Sequence, residues 1–215
     1  MKKKLIIICV LVLFFVPIMY FLYVYNVLPH KAYDSSNFNI KVYKSSIDKD
    51  EDGIDDQTDI LNSVREYISK KPKYKSKYYG TGYPNDEYGA CTDVVAFGLL
   101  GAGYDLRKLL SNDVKNNRSE YNIKEMDINI DFRRVLNINI YLKRNHISLT
   151  TDITKIEEWQ GGDIIVFSKH IGIVSDKRNK KGIPFLIHHA YPGQLRYEED
   201  ILENYDDIIG HYRIS

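Results

Sequence analysis

Residues 5–25 of this 215-residue chain carry no charge and are almost wholly apolar, about the length a helix needs to cross the hydrocarbon of a bilayer. Whatever else the chain forms, this run has to leave water. The basic Met1-Lys2-Lys3-Lys4 precedes it, and Tyr20, Tyr23 and Tyr25 gather at its far end. That distribution predicts an N-terminus inside the cell membrane and the remainder outside. Pro17 is compatible with a span, because freed backbone groups find other partners there. A cleaved signal peptide is the competing reading, but the apolar core exceeds the roughly 7–15 residues of such segments and no small-x-small site follows it. Either way the body of the protein is expected to be extracytoplasmic, and Cys9, inside the run, cannot pair with Cys91, the other cysteine.

A formal net charge of +1, with lysines and acids interspersed, gives no electrostatic footprint for nucleic acid. Beyond the span there is enough chain for one domain and a stalk. The expected layout is a cytoplasmic tail (1–4), a transmembrane anchor (5–25), a stalk (26–47), a calcium loop (48–59) and one folded domain (60–215). Nothing in the sequence fixes an oligomeric state.

In the stretch Asp48-Lys49-Asp50-Glu51-Asp52-Gly53-Ile54-Asp55-Asp56-Gln57-Thr58-Asp59, Asp48, Asp50, Asp52, Asp56 and Asp59 stand at positions 1, 3, 5, 9 and 12 of a calcium loop. Gly53 takes the sharp sixth position, and the carbonyl of Ile54 the seventh. Hard oxygens in this alternation suit a structural calcium ion. The form resembles the calcium loops of thrombospondin type 3 repeats. The alternative is an acidic, solvated linker.

Apolar residues at helical spacing predict helices over 58–69, 91–101 and 105–116, and a further one over 135–144 where alternation of Ile and Asn leaves a strand open. Residues 73–90, rich in Tyr, Lys, Gly and Pro, read as loop. Four β-like runs follow, over 164–167, 170–175, 184–189 and 208–214. Helices followed by consecutive short strands predict an α+β fold, with helices packed on a C-terminal antiparallel sheet.

Cys91 opens the second of these helices, where free N–H groups and the positive dipole end favour a thiolate. A buried apolar cysteine is the plain alternative. His170, His188 and His189 lie on or beside the later strands, and cysteine with histidine is a nucleophile–base combination. Tyr83 and Tyr88 are candidates to line a substrate groove. Arg133 and Arg134 could fork onto a substrate carboxylate, or tie Asp127 or Asp131 into a structural network.

Six segments carry a resemblance: Cys91-Thr92-Asp93-Val94-Val95, Asn129-Ile130-Asp131-Phe132-Arg133-Arg134-Val135, Trp159-Gln160-Gly161-Gly162-Asp163-Ile164, His170-Ile171-Gly172-Ile173-Val174-Ser175-Asp176, Ile187-His188, and Gly210-His211-Tyr212-Arg213. In matching order from about Ile60 to the C-terminus, the chain resembles the bacterial domain-of-unknown-function family 1287. That family in turn is similar to the NlpC-type cell-wall cysteine peptidases and amidases, whose core is papain-like. The resemblance implies Cys91 as nucleophile, His170 as general base and His188 as the orienting third member, with no cofactor for catalysis. Family members often carry Asn where this chain has His189. The expected activity is hydrolysis of amide or peptide bonds by a membrane-anchored thiol enzyme, with peptidoglycan or a peptide as substrate. The other reading is a catalytically silent cell-wall binding or scaffold module on the same fold.

Overall fold

In the computed structural model, residues 2–214 are described; Met1, at the head of the expected tail, and Ser215, at the end of the expected domain, lie outside them. The chain divides into a part ending at Lys31 and a part beginning at Ala32. The first is α1 (Lys2–Val24), one helix containing Pro17. Within it residues 7–24 have a mean hydropathy of 2.8, long and apolar enough to span a membrane.

The second part is a mixed helix-and-sheet body. α2 (Asp56–Ser69) starts where Asp55, as its N-cap, accepts the Thr58 N–H, satisfying one of the donors a helix start leaves free. β1 (Lys73–Tyr74) and β2 (Tyr88–Gly89) form a short parallel ladder inside the stretch expected to be all loop. It delivers the chain directly into α3 (Cys91–Gly101). α4 (Leu106–Asn116), N-capped by Asp105, and α5 (Val135–Asn145) complete the helices, so the open choice at 135–144 resolves as helix. The apolar stripe of α5, Ile138, Tyr141 and Leu142, is buried, and a period of three to four residues cannot be met by a strand.

β3 (Ile147–Ser148), β4 (Ile164–Phe167), β5 (Ile171–Arg178), β6 (Pro184–Ile187), β7 (Glu198–Glu199) and β8 (Ile208–Arg213) make one sheet in the order β3-β8-β4-β5-β6-β7. All its pairings are antiparallel. β4 reads Ile-Ile-Val-Phe and is buried throughout, because both faces of the sheet are covered. Ile164, Val166, Ile171, Ile173 and Ile187 join Val94, Val95 and Leu99 of α3 and the apolar faces of α2, α4 and α5 in one core. The alternate residues Ile165, Phe167, Val174 and Leu186 turn the other way onto Trp159, Ile183 and Leu202. Gly101 lets α2 approach α3, since a Cβ there would overlap Ser63 Cβ.

Residues 33–47, expected as stalk, lie on this body. Tyr33 exchanges two backbone hydrogen bonds of 2.9 Å with Arg178, and the Tyr43 N–H donates to Gln160 at 3.0 Å. Arg178 is fully buried and donates to Ser35 Oγ and to the carbonyls of Ile156, Gly182 and Trp159. A buried guanidinium needs such partners, and here they lock the strap onto the sheet.

Candidate active site

Cys91 is the first residue of α3, at the end of that helix nearest the start of β5. Its sulfur lies among the N–H groups of Ile171, Thr92 and Cys91 itself. Burial nevertheless dominates and pushes the thiol up to about 11, with the three N–H groups opposing the shift. Tyr74 and Tyr205 stand near enough for the sulfur's charge to bear on their hydroxyls.

The helix start is held from below by an ion pair. Asp93, two residues on, turns back to accept the Ala90 N–H at 2.8 Å and takes both arms of Arg133 at 2.7 Å. Arg133 also donates to the Lys77 carbonyl. The side chains are 2% and 0% exposed, so Arg133 offers nothing to a substrate; it is the clamp under the Cys91 turn. Its partner is Asp93 rather than Asp127 or Asp131; it is Arg134 that reaches Asp131, at 3.9 Å.

His170 immediately precedes β5. Its Nε2 lies 2.8 Å from Nδ1 of His188, which follows β6, and His188 Nε2 lies 2.8 Å from Oε2 of Glu199 on β7. The register explains the alignment. Leu186 pairs with Glu199, and alternation brings His188, two residues past Leu186, to the same face. Gly172 falls between the strands: a Cβ there would lie 2.7 Å from the Ile187 carbonyl and 3.2 Å from His188 Cβ. Only glycine lets β6 come this close. Burial and the neighbouring His188 hold His170 down to about 3.

Partners decide the tautomers. The Glu199 carboxylate accepts only, so His188 carries its hydrogen on Nε2 and presents a bare Nδ1. His170 then donates from Nε2 and keeps the lone pair on Nδ1, the form a general base requires. Gln194 closes the group, its Nε2 lying 3.3 Å from Glu199 Oε2. His189 is buried, ringed by Tyr74 and Tyr197 at 5.2 and 5.0 Å, and its Nδ1 has no hydrogen-bond partner among the described residues.

The structure therefore joins His170, His188 and Glu199 directly and brings Cys91 to Ile171, the residue beside His170. Among the described residues, no hydrogen bond joins Cys91 to His170, whose ring partner is His188. Tyr88 faces the ammonium groups of Lys73, Lys75 and Lys77 at 5.0–6.0 Å, three residues before Cys91. Tyr83 packs on Phe97 and Phe132 and donates to Asp105 at 3.0 Å, which makes it part of the core around α4. Away from this group, His211 is enclosed by Trp159, Asp163 and the Thr150 carbonyl, and Asp163 also binds Arg213 and Gln57.

Of the candidate calcium ligands, Asp48, Asp50 and Asp52 have carboxylate oxygens within 4.8 Å of one another. Asp56 is drawn off: its oxygens accept from the Lys49 N–H at 2.7 Å and from the Tyr104 hydroxyl. Asp59 is buried one turn into α2, and Ile54 is exposed.

The fold and site define a mixed α-helix and antiparallel-sheet protein, with a span-length N-terminal helix and a helix-start cysteine beside a histidine–histidine–glutamate chain. The family model described as "Domain of unknown function (DUF1287)" matches residues 61–214, and the chain belongs to that family. Over 167 residues it is 34% identical to a protein of Escherichia coli (strain K12) described as "Uncharacterized protein YijF", covering 72% of this chain and 80% of that protein. No solved structure matches.

Proposed function

We propose that this chain is a membrane-anchored, extracytoplasmic thiol hydrolase of amide or peptide bonds in peptidoglycan, built on an NlpC-type papain-like core. The observation that carries the reading is the hydrogen-bonded chain His170–His188–Glu199, which leaves the Nδ1 lone pair of His170 free for a thiol proton, next to Ile171, whose N–H bears on the Cys91 sulfur. The order of parts supports it too: cysteine at a helix start, histidine opening a strand, a third polar residue ending the next strand. The span-length helix supports the wall as the place of action.

His170 Nδ1 takes the thiol proton as the Cys91 sulfur attacks the carbonyl carbon, and the N–H groups of Cys91 and Thr92 receive the developing oxyanion. The imidazolium returns its proton to the leaving amine as the C–N bond breaks, leaving a thioester. Water, deprotonated by the same nitrogen, then releases the carboxylic acid and restores the thiol. His188 and Glu199 keep the ring in the correct tautomer and stabilise its positive form, as the last member of a triad does. Burial of both groups favours the neutral thiol–imidazole pair at rest, and catalytic hydrogen bonds are often long without substrate.

The raised thiol also favours the second reading, a catalytically silent wall-binding module. Iodoacetamide labelling of Cys91 in the full chain in detergent, with Cys9 replaced by Ser, separates the two. The hydrolase reading expects His170→Ala to slow labelling at pH 7 by at least about tenfold. Equal, slow rates in both proteins would favour the silent module.

A further inference from the structure

We propose that the loop before α2 binds a calcium ion through the carboxylates of Asp48, Asp50, Asp52 and Asp59, pinning that loop to the first turns of the helix. The inference does not rest on the hydrolase reading. Carboxylate oxygens of Asp48, Asp50 and Asp52 converge within 4.8 Å. Gly53, at φ +92°, turns the chain there, and the Asp48 carboxylate accepts the N–H groups of Asp52 and Gly53 at 3.1 and 2.8 Å.

Convergent surface acids alone would not make a site; Asp59 adds the independent observation. It is 8% exposed, and its Oδ2 has no hydrogen-bond partner among the described residues. The charges that bear on this carboxylate are those of Asp50, Asp52 and Asp56. Its other oxygen accepts from the Ser63 hydroxyl alone, at 3.4 Å, and a buried carboxylate oxygen near like charges, with no donor, is a costly arrangement for a chain to keep. A cation supplies the missing partner for Asp59 and offsets the repulsion among the other three.

The donor set selects the ion. Four carboxylates, a backbone carbonyl such as that of Ile54 and water make the all-oxygen shell of six to eight that calcium accepts. Magnesium demands a tighter octahedron and gives up water reluctantly. Asp56 stays outside the shell and holds the loop to Tyr104 instead. The ion would then join the strap of residues 33–47 to α2, the helix that packs on α3.

Thermal unfolding of the full chain in detergent, stripped with EGTA and titrated with calcium chloride, tests the site. The expected result is a saturable rise in Tm with an apparent Kd of about 0.1–1 mM, at least tenfold weaker for magnesium. Asp50→Asn with Asp52→Asn, both exposed positions, should weaken it at least tenfold while leaving Tm in EGTA unchanged or higher. No calcium response would overturn the proposal, as would a response matched by sodium at equal ionic strength or one retained in the double variant. Equal affinity for magnesium would overturn the assignment to calcium.

Discussion

His188 Nε2 and Glu199 Oε2 meet at 2.8 Å with side chains 1% and 4% exposed, and that contact decides which nitrogen of each histidine carries hydrogen. Glu199→Gln keeps the size of the side chain but can donate an N–H to His188, reversing both tautomers and leaving a hydrogen on His170 Nδ1. Loss of a hydrogen-bond partner that orients a histidine costs about 10–100-fold in function where the ring binds a metal, and a similar fall in Cys91 labelling and turnover is expected here. A tautomeric role predicts that kcat falls and KM holds, which steady-state kinetics would reveal. Unchanged kinetics would remove Glu199 from the mechanism.

Gly172 governs the spacing between the two histidines. In Gly172→Ala the new methyl would meet the Ile187 carbonyl at 2.7 Å, backbone that cannot rotate away, and β6 would have to retreat with His188 attached. Overpacking of this kind costs about 1–3 kcal/mol. Denaturant unfolding should show that loss, and labelling of Cys91 should slow more than the stability change accounts for.

Arg133→Met probes the clamp beneath the helix start. It strands Asp93, whose carboxyl burial already raises above its ordinary value despite the guanidinium. Breaking one side of a buried pair costs about 3–5 kcal/mol. The double variant with Asp93→Leu should recover much of this in denaturant melts; additive losses would contradict the pairing.

Acid should destabilise the domain through its buried imidazoles. Burial lowers His170 from 6.5 to about 3 and His189 to about 4. A base held below its free value contributes stability above that value and loses it as pH falls toward the folded one. The Tm should therefore drop between pH 6.5 and 4, and by less in His189→Asn, as scanning calorimetry across that window would show. An identical slope in the variant would exclude His189 as a source.

The elements legible in the sequence are those whose apolar period is strong. α3, β4, the start of β5 and β6 are continuous or regularly spaced hydrophobic runs, and Cys91, His170 and His188 stand at the ends of α3, β5 and β6. Glu199 gave no such signal, because a two-residue strand in Glu198-Glu199-Asp200 looks like a solvated acidic surface until β6 pairs with it. β3 and the β1–β2 ladder are equally short. The strap of residues 33–47 read as stalk, since its attachment depends on Arg178, far away in sequence, and on backbone carbonyls that carry no residue code. The Asp93–Arg133 pair spans 40 positions, beyond any local pattern.

The central claim is most directly tested by incubating the full chain in detergent with defined peptidoglycan fragments and reading the products by mass spectrometry. Cleavage into two fragments that together gain one water, abolished in Cys91→Ala and in His170→Ala, is the predicted result. Fragments left intact by the wild-type chain, or cut equally well by Cys91→Ala, would contradict it.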